Sequence, residues 1–237
     1  MQLTSREISG VFRIRYGNSV GSGFLYHTIS GCCFISAAHI LNGAKNDDNV
    51  LIQRDFDWIS IPLVQIEFSK RNSDVCAFSV KGFSVSNILS PYQTPSLSLG
   101  GQVRFLGFPH DLVNTYPGQG FPMPLVRTAH FSGVIAVDGI DVMVLDGFNN
   151  PGYSGGPVYC QDSSGGNALV GVVSGYRFEK STHGKVFRRY PDGREEEIPD
   201  IFIKPNSGMV QAVPLAAVNG VVSQMLHFNP VGQKPLT

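Results

Sequence analysis

The sequence predicts an all-β fold: two six-stranded antiparallel β-barrels side by side, followed by a C-terminal helix. Short runs of β-forming residues, punctuated by Gly, Asn, Asp and Ser, fill most of the 237 residues. They fall into two sets of about six, parted by a polar stretch. One helical pattern stands near the end of the chain. Closing each set into a barrel removes the open sheet edges that short antiparallel strands would leave. A cleft between two such lobes is a natural place for a site.

The first set reads VFRIRYG (Val11–Gly17), VGSGFLYH (Val20–His27), CCFIS (Cys32–Ser36), NVLIQR (Asn49–Arg54), SIPLVQIEF (Ser60–Phe68) and DVCAFSV (Asp74–Val80). The stretch Lys81–Gly101 is rich in Ser and Pro and reads as a linker. The second set is QVRFLGF (Gln102–Phe108), VRTAHFSGVIAV (Val126–Val137), DVMVLDG (Asp141–Gly147), GPVYC (Gly156–Cys160), LVGVVSGY (Leu169–Tyr176) and MVQAV (Met209–Val213). The lobes then span residues 1–95 and 96–237 of a single domain, with a charged insert at 177–206 and a terminal helix at 215–227. The clearest part of that helix is LAAVNGVVSQML (Leu215–Leu226). Pro214 precedes it, where a first-turn proline is tolerated, and Gly220 weakens its middle.

Apolar residues make up 42% of the chain and charged residues 15%, enough to fill a core and too apolar for disorder. Lys plus Arg equals Asp plus Glu, 18 each, so no global field attracts nucleic acid or an anionic membrane. The four cysteines, Cys32, Cys33, Cys76 and Cys160, form no CxxC pair. They read as buried free thiols, with Cys32 and Cys33 facing opposite sides of a strand. That favours a reducing, cytoplasmic setting. The first residues lack a basic segment followed by an apolar run, and no apolar stretch approaches the roughly 20 residues of a membrane helix.

One loop asks for chemistry. NPGYSGGPVY (Asn150–Tyr159) sets Ser154 among glycines. A serine hydroxyl is a poor nucleophile until a base takes its proton. Histidine is the usual base, and a carboxylate fixes its tautomer. Glycines let the backbone turn sharply and leave N–H groups bare for a developing oxyanion. Of six histidines, His39 stands apart: it follows the small residues of ISAA at the end of an apolar run. Asp74 opens DVCAFSV, where an isolated Asp is otherwise a turn residue or cap.

SAAHIL around His39, NSDVCAF around Asp74 and PGYSGGPV around Ser154 resemble the three signature segments of trypsin- and chymotrypsin-like serine peptidases, in that family's order. LVGVVSGY resembles the family strand that lines the substrate, and SGMVQAV its last strand. GSGFLY (Gly21–Tyr26) and NPGYSGGP are nearest the bacterial HtrA/Deg branch, without a PDZ-like segment. The resemblance covers nearly the whole chain. It implies a serine endopeptidase that needs no cofactor and no metal. Ser154 would be the nucleophile, His39 the base and Asp74 its orienter. The N–H groups of Gly152 and Ser154 would form the oxyanion hole. Ser174, Gly175 and Tyr176 would pair with the substrate backbone. The partner is then a protein or peptide substrate. A peptidase in a reducing compartment also calls for a regulating partner or a narrow substrate; oligomeric state is not encoded in these motifs.

The chain departs from the family at two points. Tyr153 occupies the position where digestive members carry the Asp that pairs with a new N-terminus, and no IVGG-like start is present, so no such activation is expected. By register the pocket floor is Phe148, followed by Asn149, with Gly208 keeping the pocket open and Tyr176 narrowing it. A small or medium uncharged P1 side chain is expected, and basic specificity returns if Asp146 slips into the floor position.

The insert contains KVFRRYPDGREEEI (Lys185–Ile198), where Asp192-Gly193 signals a hairpin and Arg188 and Arg189 face Glu195, Glu196 and Glu197. It reads as a solvated hairpin or as a flap beside the cleft. His110, His130, His183 and His227 read as loop, strand-surface or helix-end residues, and Trp58 as a packed surface aromatic. Two alternatives stand against a peptidase. A protease-fold binding module without activity would usually lack a triad residue. GYSGG also fits the elbow of an α/β-hydrolase esterase, but that elbow must open a helix, and Pro157-Val158-Tyr159 reads as strand.

Overall fold

In a computed structural model of the chain, residues 2–83, 97–114, 121–178, 184–203 and 206–230 are described. Linker residues 84–96, His183 and residues 179–183 and 204–205 of the charged insert lie outside them. The described chain opens with a helix that the strand-rich reading did not anticipate, α1 (Ser5–Ser9). Its cause is local. Thr4 and Glu7 form a reciprocal capping box, which satisfies helix-start donors that would otherwise be orphaned.

Six strands follow: β1 (Val11–Tyr16), β2 (Ser19–Thr28), β3 (Gly31–Ser36), β4 (Asn49–Arg54), β5 (Asp57–Phe68) and β6 (Cys76–Val80). They close antiparallel in the order β1-β2-β3-β6-β5-β4. The second barrel takes β7 (Gln102–Gly107), β8 (Leu125–Val137), β9 (Ile140–Asp146), β10 (Pro157–Gln161) and β11 (Asn167–Phe178). The hairpin β12 (Gly184–Arg189) and β13 (Glu195–Ile203) then stands as its own two-stranded sheet. The strand β14 (Asn206–Pro214) returns to close the barrel in the order β10-β11-β14-β9-β8-β7.

Three apolar clusters fill this architecture. One lies inside the first barrel, around Ile14, Phe34, Ile52 and Phe78. One lies inside the second, around Phe105, Leu145, Tyr153 and Val210. The third joins Phe24, Ile35 and Ala77 of the first barrel to Leu106, Tyr159 and Val172 of the second. Strands β2 and β3 therefore bury both faces, one inward and one against the other barrel. This explains the unbroken run CCFIS: Cys32 belongs to the barrel interior and Cys33 to the core between barrels, as strand alternation requires. All four cysteines are buried, and none forms a disulfide. Burial pushes the Cys32 thiol up to about 11.

The terminal helix α2 (Leu215–Val222) seals the same inter-barrel core with Val218, Val221 and Val222. It stops earlier than the apolar spacing through Leu226 suggests. The reason is a competing acceptor. The Gln65 side-chain oxygen takes the amides of Leu226 and His227, each at 2.8 Å, and draws the chain out of helical geometry. The hairpin forms with Arg188 opposite Glu196 and Arg189 opposite Glu195. Only the second pair makes an ion pair, at 3.7 Å, and Glu196 instead accepts the Tyr190 hydroxyl. No helix among the described residues is long and apolar enough to cross a membrane.

His27 on β2 is 4% exposed, and neither ring nitrogen has a hydrogen-bond partner among the described residues. Desolvation, and then the Arg6 charge, hold its pKa below the ordinary imidazole value. The unfolded chain therefore binds this proton more tightly than the folded one. Stability is full above the unfolded value of about 6.5 and falls as pH drops below it, until the lower folded pKa is passed. Thermal melts from pH 8 to pH 5 are expected to show this decline, and His27→Phe is expected to flatten it; parallel profiles would remove His27 as the cause.

Candidate active site

His39 sits in a single 3-10 turn, Ala38–Leu41, directly after β3. Asp74 lies in the bend before β6. The antiparallel pairing of Ser36 with Cys76 brings these two ends together. The Cys76 thiol reinforces the junction, lying 3.7 Å from the Ser36 carbonyl and 3.8 Å from that of Ala37. Burial first, and the Asp74 charge second, hold this thiol well above its ordinary pKa, so it stays protonated as a donor.

Asp74 grips His39 twice. Its Oδ1 accepts the His39 backbone amide at 2.9 Å, and its Oδ2 meets ring Nδ1 at 2.7 Å. A carboxylate can only accept, so in the neutral imidazole Nδ1 carries the proton and Nε2 is the acceptor. The pair is not sealed from water: the side chains are 48% and 32% exposed. The carboxylate that holds the imidazole is thus partly solvated.

Ser154 comes from the other barrel. Its loop docks on β2 through one residue, Ser22, which is wholly buried. The Ser22 amide donates to the Ser154 carbonyl at 2.8 Å, and its hydroxyl donates to the Gly152 carbonyl at 2.7 Å. The same hydroxyl accepts the Phe108 amide at 3.1 Å. Gly155 makes this contact possible. Its φ is +85°, and a Cβ there would lie 2.0 Å from the Ser22 carbonyl oxygen and 2.9 Å from the Ala37 nitrogen. The Ser154 loop therefore rests against the strand end that leads into His39. The Ser154 hydroxyl itself donates to the Ser174 carbonyl at 3.3 Å. Among the hydrogen bonds of the described residues, none joins it to His39.

The amides of Tyr153, Gly155 and Gly156 are engaged by the carbonyls of Asn150, Val173 and Tyr153. Among the described residues, the N–H groups of Gly152 and Ser154 enter no such bond. Tyr153 is 1% exposed and meets Phe105 edge to face, with centroids 5.0 Å apart. An aromatic side chain thus anchors the loop where the digestive family uses an ion pair. Burial raises the Tyr153 pKa, against the opposing influence of Arg127.

Ser174 lies where the register of β11 against β14 shifts, between Val173 and Gly175. Such a bulge redirects the strand past the site. Gly175 pairs with Gln211, and the backbone of Tyr176 pairs with Val210. Phe148 is 59% exposed, whereas Asn149 is 1% exposed. The Asn149 side chain donates to the Gly175 carbonyl at 2.9 Å, and the Asn149 backbone carbonyl accepts the Asn206 side-chain amide at 2.6 Å. Asn206 also receives the Gly208 amide at 3.0 Å, so it frames this corner of the cleft. A Cβ added at Gly208 would meet nothing within 4 Å. His130 pairs across to Gln102 and Asp146 on the barrel wall. Ser22 and Asn206 had no assigned role in the sequence reading. Ser22 lies inside the GSGFLY segment, where flanking glycines are its signal; Asn206 carries no local signal.

The sequence matches no family model and no curated protein. Solved structures match it over nearly its full length. The HtrA-type protease AlgW with a tripeptide aligns at 18% identity and a TM-score of 0.55, covering 94% of this chain and 62% of that one. The Rv3671c protease in an inactive form aligns at 18% identity and a TM-score of 0.53, covering 94% and 92%. The fold is the chymotrypsin-like double barrel. The chain spans 62% of the length of AlgW.

Groups from the two barrels meet only where the barrels dock, and Ser22 makes three hydrogen bonds across that seam. Ser22→Ala removes the hydroxyl and leaves the Gly152 carbonyl and Phe108 amide without this partner. A buried unsatisfied group typically costs about 1–3 kcal/mol. Urea unfolding of Ser22→Ala is expected to show a loss in that range, and a change under about 0.5 kcal/mol, the usual surface-mutation scatter, would contradict the assignment.

Proposed function

We propose that the chain is a serine endopeptidase acting through Ser154, His39 and Asp74. The observation that carries this reading is the double grip of Asp74 on His39, which fixes both the ring and its tautomer beside the nucleophile loop. A cap or turn Asp needs only the backbone contact; the bond to Nδ1 serves an imidazole that must accept a proton at Nε2.

In the resting protein the Ser154 hydroxyl rests on the Ser174 carbonyl. A substrate that pairs with β11 as an added strand brings its P1 amide to that carbonyl. The hydroxyl is then displaced and turns to Nε2. Ser154 Oγ bonds to the scissile carbonyl carbon while its proton passes to His39. The carbonyl oxygen becomes an oxyanion and takes the amides of Gly152 and Ser154, donors worth roughly 3 kcal/mol each in related chemistry. The C–N bond breaks, the amine leaves with the proton from His39, and an ester remains on Ser154. Water then gives a proton to Nε2 and its oxygen to the ester carbon. Ser154 recovers the proton as the acid departs.

Asn149, Asn206, Gly175 and Gly208 offer no charge at the pocket corner, which supports a small or medium uncharged P1. Phe148, 59% exposed, would then border the pocket rather than floor it. Four buried cysteines outside any disulfide fit a reducing compartment.

A fluorophosphonate probe is expected to label the protein and not Ser154→Ala. Asp74→Asn is expected to cut turnover about 10⁴-fold, as loss of the correct tautomer does elsewhere. Cleavage of a peptide library by the same proteins reads P1. Labelling absent from the native protein, with no peptide cut, would replace the enzyme by a binding module; dominant cutting after Arg or Lys would overturn the P1 assignment.

A further inference from the structure

Beside the nucleophile loop lies a second, strained turn. It follows β7 and is closed by the Leu112 amide on the Pro109 carbonyl at 2.8 Å. His110 and Asp111 both have positive φ, 49° and 64°. Two consecutive left-handed residues with side chains are unfavourable on their own and persist only where surrounding contacts hold them. The contacts here are specific. The His110 amide donates to the Pro151 carbonyl at 3.0 Å. The Asp111 carboxylate pairs with Arg13 on β1, in the opposite barrel.

Arg13 is not a loose surface cation. Its side chain is 11% exposed, its Nε is buried without a partner among the described residues, and its guanidinium lies 4.9 Å from the Trp58 ring centroid. It is thus fixed by β1 and Trp58 before it reaches Asp111, which is 74% exposed. A fixed cation can position a mobile carboxylate. This pair links residues 98 apart in sequence and crosses between the barrels.

The Pro151 carbonyl and the Gly152 N–H belong to one peptide group. In a trans peptide they point in opposite directions. The chain has no cis peptide bond among its described residues. Holding the carbonyl on His110 therefore turns the Gly152 N–H away from the turn. Gly152 could swing otherwise: its φ is +105°, a region that glycine enters freely. A reversed peptide would present a carbonyl where a developing oxyanion needs a donor.

We propose that the Arg13–Asp111 ion pair is a cross-barrel strap that positions the oxyanion peptide, acting through the His110 turn. Arg13 and Asp111 are positioning residues and touch no substrate. The inference rests on the reading of Ser154 as the nucleophile.

Asp111→Asn tests it cleanly, because Asn tolerates left-handed backbone as well as Asp does and only the charge is lost. Three quantities are measured on native and variant protein: kcat and KM on a cleaved peptide, the rate of fluorophosphonate labelling, and hydrogen exchange at the His110 amide. The expected result is a kcat at least tenfold lower with KM within twofold, labelling slowed in parallel, and faster exchange at His110. Arg13→Lys, which keeps the charge, is expected to lose less than Asp111→Asn. A kcat within twofold of native, with or without faster exchange, overturns the strap. If native protein neither cuts peptide nor takes the probe, the peptidase reading fails separately. The exchange measurement then still decides whether the ion pair holds the turn: equal exchange in the two proteins overturns it.

Discussion

The site depends on one buried serine that is not a candidate for the chemistry. Ser22 belongs to the first barrel, yet three of its hydrogen bonds reach the second, to Gly152, Ser154 and Phe108. Its carbonyl also accepts the Ser36 hydroxyl at 2.8 Å, which ties the seam to the strand end before His39. Asp74 and His39 come from one barrel and Ser154 from the other. Their alignment is therefore a property of the docking, not of either barrel. Apolar burial between barrels supplies the driving force, but it is non-directional. The Ser22 bonds supply register.

The division of labour between the halves follows from their packing. On the first barrel, β3 and β6 pair tightly, and the carboxylate–imidazole pair is built at their shared end. On the second, the Ser154 loop is stitched to β11 by reciprocal bonds between Val173 and the Gly155–Gly156 pair. Tyr153 plugs the loop into the barrel interior. The loop is held from below by an aromatic ring, from the side by β11 and from above by Ser22. The Ser154 hydroxyl rests on the Ser174 carbonyl.

The barrels were legible because each strand is short, bounded by turn residues and rich in β-formers; the paired faces of Cys32 and Cys33 followed from strand alternation alone. His39, Asp74 and Ser154 were legible as motifs, and His39 and Asp74 lie in contact. What the sequence hid was contact between distant segments. Nothing near Leu226 reveals that Gln65, 161 residues away, will end its helix. Nothing near Asp111 reveals Arg13; His and Asp are enriched at positive φ, but GFPHD alone does not show that both adopt it here. The buried Asn149 and the exposed Phe148 reverse the emphasis a register argument placed on them, because β9 ends one residue before Gly147 turns to bond Gly208. The helix α1, by contrast, did carry a signal in Thr4 and Glu7.

A structure of the protein with a peptidyl boronate bears most directly on this account. The boron is expected on Ser154 Oγ, with one boronate oxygen about 2.7–3.1 Å from the amides of Gly152 and Ser154 and another facing His39 Nε2. Boron bound elsewhere, or an adduct whose oxygens meet neither those amides nor the imidazole, would contradict it.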